Sequence, residues 1–456
     1  VGADPPPDAE TDEEEMVAFQ TLLLGLVFGV QPVGLMVAPQ VRSVEVRLDS
    51  ARIAVLTGEP WVVRCNFGDS VRPHELVAIA RDGSGKEMGR VRQWVNIPRP
   101  AAEATLLLER GPQRNQVVAA RLAWNETEGA EPKTVRVTLD GQELDVKDPR
   151  RFELPACDPT KAHILSAGLV FREGNTAHTQ AVFGGDIGEE AQSELTAVPI
   201  VVEPGTKLPA LPGMRGWFRD GDRPLQVLGV EEGPFDVVLV VDQEARTTLS
   251  EEHGARNGGL QLAENARSFP RLLLFDTGDR DADRLFITFG VPEIFHGIDG
   301  SAHIVFRTYL PVEFVTSRLR ARLANGAYAV GVVGKPTLAD AVASMGALAA
   351  ASNRARAVVL LRGGPAGEDG SRVTPAGARA YLNDLHVPLL VWSLTGAVDA
   401  GVWGPAVDVS SAARLDHAGR ELKDQLAAER IVWLEGAHLP QRIRLAEGVE
   451  GVRLVP

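Results

Sequence analysis

Residues 235–242, Phe-Asp-Val-Val-Leu-Val-Val-Asp, form a nearly unbroken apolar run that stops at a carboxylate. A run this short, bounded by polar residues, is what a parallel strand buried on both faces requires. The sequence after it supplies further strands at 283–290 (DRLFITFG), 302–309, 356–364 (RAVVLLRGG), 387–394 (VPLLVWSL) and 430–436 (RIVWLEG). Helical spacing runs between them at 311–324, 337–352, 374–386 and 413–428. Strands alternating with helices imply crossover units and a mostly parallel sheet, so the sequence predicts a Rossmann-like α/β domain over 235–400. A closing helix and C-terminal strands are expected over 401–456.

The preceding sequence has a different period. SVEVRLD (43–49), WVVRCNFG (61–68), ELVAIARD (75–82), ATLLLER (104–110), QVVAARLAW (116–124) and TVRVTLDG (134–141) alternate apolar and polar residues. Turn signals such as Asp82-Gly83 and Asp140-Gly141 separate them. Short alternating strands at this spacing read as an immunoglobulin-like β-sandwich over 41–150, without the Cys–Trp–Cys spacing of antibody domains. Residues 151–234 read as a β-rich connector with a Pro/Gly linker at 203–214. No internal repeat with a period of 20–50 residues stands out. The expected chain is thus multidomain, an N-terminal immunoglobulin-like sandwich plus a C-terminal Rossmann-like α/β domain.

Residues 1–40 are expected to be an acidic tail and a signal or anchor segment. Net charge is −14, and seven of those charges fall within the first 15 residues, leaving −7 for the rest. An acidic chain with no basic stripe argues against a nucleic-acid partner. Residues 16–40 carry no charged side chain, and the apolar stretch at 17–38 is long enough for a signal peptide or membrane anchor. A cleaved or anchoring segment would place the protein outside the cytoplasm, secreted or in the cell envelope. The acidic flank before it is wrong for a secretory leader, and a buried helix behind a tail is the competing reading. Of the two cysteines, Cys65 and Cys157, either a disulfide or two buried thiols fits β-rich sequence.

Over roughly 195–440 the ordered segments resemble bacterial von Willebrand factor A-related proteins of the kind found in Acidobacteria. RGWFRDGDRPLQ stands where that family has a hairpin, and FDVVLVVDQEAR where it has its first core strand and metal loop. KPTLADAVASM is similar to its "GTxLYDAI" segment, and AVVLLRGG to its "VVLLTDG" strand end. The resemblance implies a von Willebrand factor A-type α/β domain and a metal-ion-dependent adhesion site. That site is built from Asp-x-Ser-x-Ser, a loop Thr and a strand-end Asp. A hard divalent cation there takes oxygen ligands and leaves one position for a partner's carboxylate.

Mapped onto this chain, Asp242 matches the first Asp and Thr337 the loop Thr. Glu244 and Arg246 stand at the serines, and Arg362-Gly363 at the strand-end Thr-Asp. The site is therefore degenerate. A guanidinium offers donors and a permanent charge in the cation's place, so Arg246 or Arg362 is expected to pair with Asp242 or Glu244, with no metal bound. The rival is a rearranged metal site of Asp242, Glu244, Thr337 and Asp340.

Nothing else suggests chemistry. None of the nine histidines stands in a metal-binding pair or His-Glu-x-x-His, and there is no nucleophile elbow. GVVGKPT (331–337) departs from a phosphate loop. Asp276, Asp279, Asp281 and Asp283 lack a completing Glu for a calcium loop. No cofactor and no enzymatic activity are expected. The expected role is an exported protein–protein interaction or adhesion-type module. The alternatives are a structural scaffold subunit of an envelope assembly and a metal-dependent adhesion protein.

Overall fold

A computed structural model describes residues 16–111, 116–126, 129–171, 175–184, 191–193, 195–242, 244–245, 283–290, 293–296, 302–306, 336–364, 369–397 and 401–456. The chain divides into two compact units, 1–97 and 98–456.

The described residues of the first unit form seven strands: β1 (Val17–Phe19), β2 (Val30–Val37), β3 (Ser43–Leu48), β4 (Ala51–Leu56), β5 (Val62–Asn66), β6 (His74–Arg81) and β7 (Glu87–Val95). They form two antiparallel sheets, β1-β2-β5 and β4-β3-β6-β7. Alternate residues of both sheets, including Val33, Leu35, Val44, Val46, Cys65 and Leu76, share one core.

This corrects the expected leader. Residues 17–38 are not a helical anchor but two strands and part of that core: Val33 is fully buried, whereas Met36 is 57% exposed. Pro32, which would interrupt a helix, is accommodated because β2 pairs with β5 over 30–34 and with β1 only over 35–37. Its missing N–H therefore leaves no gap in a second ladder. No described helix is long and apolar enough to cross a membrane.

The second unit begins with β8 (Ala102–Arg110), β9 (Val117–Glu126), β10 (Pro132–Leu139), β11 (Gln142–Leu144), β12 (Phe152–Glu153), β13 (Ala162–Phe171), β14 (Thr176–Gly184) and β15 (Ala191–Ser193). Their sheets, β12-β9-β8 and β11-β10-β13-β14-β15, enclose a second core around Leu106, Leu122, Leu165, Leu169 and Phe171. The single sandwich expected over 41–150 is thus two. The break falls at 97/98, beside Pro98 and Pro100, and Asp140-Gly141 is only the turn between β10 and β11. The expected connector over 151–234 contributes β13 and β14 to the second sandwich.

There follow β16 (Leu195–Val202), β17 (Phe218–Asp220), β18 (Arg223–Leu225), β19 (Val227–Glu231), β20 (Phe235–Val241), β21 (Arg284–Phe289), β22 (Glu293–His296) and β23 (Ala302–Val305). Then come helix α1 (Leu338–Ala351), β24 (Ala355–Arg362), α2 (Pro375–Asp384), β25 (Leu389–Ser393), β26 (Val407–Asp408), α3 (Ala412–Ala427), β27 (Glu429–Glu435), β28 (Ile443–Leu445) and β29 (Val452–Leu454). The run at 235–241 is buried at every position and lies inside a five-stranded parallel sheet, β21-β20-β24-β25-β26. One face packs Phe235, Val237, Leu239 and Val241 against Leu415, Ala418, Leu422 and Leu426 of α3. α1 packs on β20, β24 and α2. The expected helix at 311–324 lies outside the described residues.

The expected fold class is nevertheless corrected. Strand makes up 47% of the structure and helix 15%, and most sheets are antiparallel. The segment 235–400 does not stand as a separate α/β domain, since its contacts merge with the whole of 98–456. The physical reason lies in strand pairing. β27, expected to close the α/β layer, pairs antiparallel with β16 and β19 in the sheet β19-β27-β16-β29. Local periodicity identifies a strand but does not choose its neighbours.

Both cysteines are free. Cys65 is buried in the first core, where burial raises its thiol to about 11. The Cys157 thiol donates to the carbonyl of Pro155 at 3.2 Å. The expected alternative of a disulfide is therefore not what the structure contains.

A buried arginine–aspartate site at the carboxyl edge of the parallel sheet

β20 and β24 are neighbours, but the strands that follow them lie on opposite sides. β20 leads to β21 at one flank, and β24 leads through α2 to β25 at the other. Where connections diverge in this way, a crevice opens beyond the carboxyl ends of the two strands. Backbone bonds tie the expected site positions together there. Asp242 N–H donates to Leu361 O, Gly290 N–H to Val241 O and Thr337 N–H to Gly290 O.

Asp242 is 5% exposed and Arg362 is 4% exposed. Register explains their meeting. Val241 pairs with Leu361, so the next residue of each strand stands opposite the other. Arg362 Nε donates to Asp242 Oδ2 at 2.5 Å, while Ala245 N–H and Gly363 N–H donate to Oδ1 at 2.6 and 3.1 Å. The carboxylate thus carries one guanidinium and two amide donors, a set that satisfies a buried anion. Arg362 Nη2 also donates to Gly364 O at 3.3 Å.

Gly363 has a steric reason. A Cβ there would lie 2.0 Å from Ala245 N and 2.3 Å from Ala245 Cα, both backbone atoms. An aspartate at 363 would displace the turn that brings Ala245 N–H onto Asp242. Glu244 is exposed, at the rim. Arg246 lies outside the described residues.

Two polar atoms at this edge lack partners. Arg362 Nη1 and Thr337 Oγ1 are both buried without a hydrogen bond. Thr337 holds the N-cap position of α1, yet its side chain does not cap. Asp369 does so instead, accepting from Leu338 N–H and Ala339 N–H at 3.1 Å each, while Ser371 Oγ accepts from Asp340 N–H at 3.0 Å. The sequence reading missed Asp369, and the only signal for it was an acid shortly after a strand-end loop. Asp340 faces that same segment, accepting from Val373 N–H at 2.9 Å and Arg372 N–H at 3.3 Å. Among the described residues no group of three or more His, Cys, Asp or Glu could hold a metal ion, so the set Asp242, Glu244, Thr337 and Asp340 is not assembled into a cage.

A second charge cluster occupies the opposite, amino edge of the sheet, also unforeseen. Asp236, 2% exposed, receives Arg284 through two bonds (Nε at 2.8 Å, Nη2 at 2.6 Å) and makes an ion pair with Arg354 at 3.1 Å. Arg356 donates from its backbone to Glu429 Oε2 at 3.4 Å and from its guanidinium to Ser352 O and Leu385 O. Burial pushes Glu429 up to about 7, against the pull of Arg356. Burial also lowers Arg356 to about 10, against Glu429 and Asp236. Polar residues inside an apolar strand pattern were the available signal.

No protein-family model matches the chain, and no curated protein matches it. Solved structures give remote likenesses. Fibronectin(III)-like modules of Clostridium thermocellum CbhA share 16% identity over 37% of this chain and 94% of that one, with a TM-score of 0.16. The central fibronectin-III array of RIM-binding protein shares 13% over 46% and 78%, with a TM-score of 0.19. SGBP-B of a Bacteroides ovatus mixed-linkage glucan utilization locus, solved with a mixed-linkage heptasaccharide, shares 10% over 42% and 84%, with a TM-score of 0.14. At these TM-scores the likenesses carry no argument.

Proposed function

We propose that the chain is a non-catalytic protein-binding module that engages its partner at the carboxyl edge of the parallel sheet without a divalent cation. The observation that carries this reading is the Arg362 guanidinium on Asp242, at the position where the family the sequence resembles would seat a metal. The guanidinium's charge and the amide donors of Ala245 and Gly363 already meet the carboxylate's demand, which removes the reason for an ion to bind. Exposed Glu244 supplies a charged rim for a protein surface. A secreted or envelope location fits an adhesion-type role.

The experiment is capture of binding proteins from an envelope extract by the immobilised full chain, with EDTA and without, alongside Glu244→Arg. The same protein should be retained under both conditions and lost with the rim variant. Retention that needs Mg²⁺, or that ignores the rim variant, contradicts the reading.

A further inference from the structure

The two sandwiches have the same wiring. In the first unit the sheets are β1-β2-β5 and β4-β3-β6-β7; in the second, β8-β9-β12 and β11-β10-β13-β14, with β15 added at the edge. Taken in chain order, each strand of one has a counterpart in the other. The sequence agrees at the matching strands. Val44-Glu45-Val46-Arg47-Leu48-Asp49 corresponds to Val135-Arg136-Val137-Thr138-Leu139-Asp140, and His74 in β6 to His163 in β13.

The correspondence extends to side-chain bonding. Asp49 and Asp140 both end their strand with positive φ, 50° and 51°. Asp49 Oδ1 accepts from Glu75 N–H at 2.9 Å, and Asp140 Oδ1 from Ile164 N–H at 2.8 Å. Each Oδ2 meets a histidine Nδ1, His74 at 2.6 Å and His163 at 2.7 Å. Each Nε2 meets a backbone carbonyl, Phe67 O at 3.2 Å and Asp158 O at 3.0 Å. Each ring also lies 5.6 Å, centroid to centroid, from a phenylalanine, at non-equivalent positions: Phe67 before β6 and Phe183 in β14.

A carboxylate and a carbonyl are acceptors only, so each imidazole faces an acceptor at both ring nitrogens. A neutral imidazole has one N–H and must turn a lone pair toward one of them. The imidazolium satisfies both. We propose that residues 17–95 and 102–184 are two copies of one module, each fastened by the same Asp–His clasp, and that the second clasp, whose His163 ring faces an acceptor at both nitrogens, loosens as the solution becomes alkaline.

His74 faces Asp49, and the neighbouring Glu75 is engaged by Arg92 at 2.8 Å. His163 faces Asp140 and, more weakly, Asp158. Around the second clasp, Cys157 also faces Asp140, and Lys161 pairs with Asp158 at 3.5 Å. The bond from Asp140 raises His163 above the usual imidazole range, against burial. Burial pushes Asp140 up, but its bonds with His163 and Ile164 leave it lowered overall. A raised histidine stabilises fully below its unfolded value of about 6.5, and that contribution is lost as pH rises through the folded value. A lowered aspartate gives stability that is lost as pH falls through its folded value. The second clasp therefore holds across the window between the two.

The test is nitrogen NMR of the full chain labelled in histidine, with His74→Gln and His163→Gln used for assignment. Near the ordinary imidazole midpoint, about pH 6.5, the His163 ring should show two protonated nitrogens. Asp49→Asn should move the Nδ1 resonance of His74 only, and Asp140→Asn should expose a bare nitrogen in the His163 ring only. A bare nitrogen on the His163 ring of the unsubstituted chain at that pH overturns the proposal, and this readout does not depend on a variant folding.

Discussion

Asp242 gathers its donors because each neighbour is constrained separately. Register sets Arg362 beside it, a turn aims Ala245 N–H, and Gly363 leaves room for that turn. Arg362→Met leaves a buried carboxylate without its counter-charge and should cost about 3–5 kcal/mol, read as a lower urea midpoint at unchanged slope. An unchanged midpoint would mean that Asp242 finds its charge elsewhere. At the amino edge, Glu429 rises from an ordinary 4.5 to about 7 through burial. A raised acid binds more protons folded than unfolded, so its contribution to stability declines as pH rises from 4.5 to 7 and is level above. The carboxyl carbon shift of Glu429 should titrate near 7; a midpoint in the usual carboxylate range would refute the assigned burial. The residue types at the carboxyl edge could be read from sequence, where Asp242 and Arg362 end two apolar runs. Asp369 could not, because its role depends on a loop folding back on α1.

At the scale of elements, the segment 17–37 shows why an uncharged stretch misleads. Its lack of charge suits a lipid-facing helix, yet Val33 and Leu35 point inward while Val30 and Met36 point outward, the period of a strand. Removing residues 16–38 should abolish the first sandwich, because β2 is the centre of its sheet. The check is loss of cooperative unfolding for a fragment spanning 39–97 compared with one spanning 16–97. Equal cooperativity would show that β1 and β2 are dispensable. The helices at 338–351, 375–384 and 412–427 were legible from their apolar spacing, and at the latter two Thr374 and Ser411 also accept from a backbone N–H in the first turn.

At the scale of the molecule, strand positions were easier to read than strand partners. β27 looked like the last strand of an α/β layer and instead joins β16 and β19. The second sandwich was hidden because its strands β8–β10 continued the alternation of the first, and because a repeat as long as a whole domain escapes a search for short periods. Against this mostly antiparallel background, the parallel sheet carries buried charges at both of its edges, and the carboxyl edge holds the Arg362–Asp242 pair. Calorimetric titration of the full chain with Mg²⁺ and Mn²⁺ tests that edge most directly. The Arg362–Asp242 pair predicts no saturable heat. Saturable binding that disappears in Asp242→Ala would contradict it, since the guanidinium would then have yielded its place to the ion.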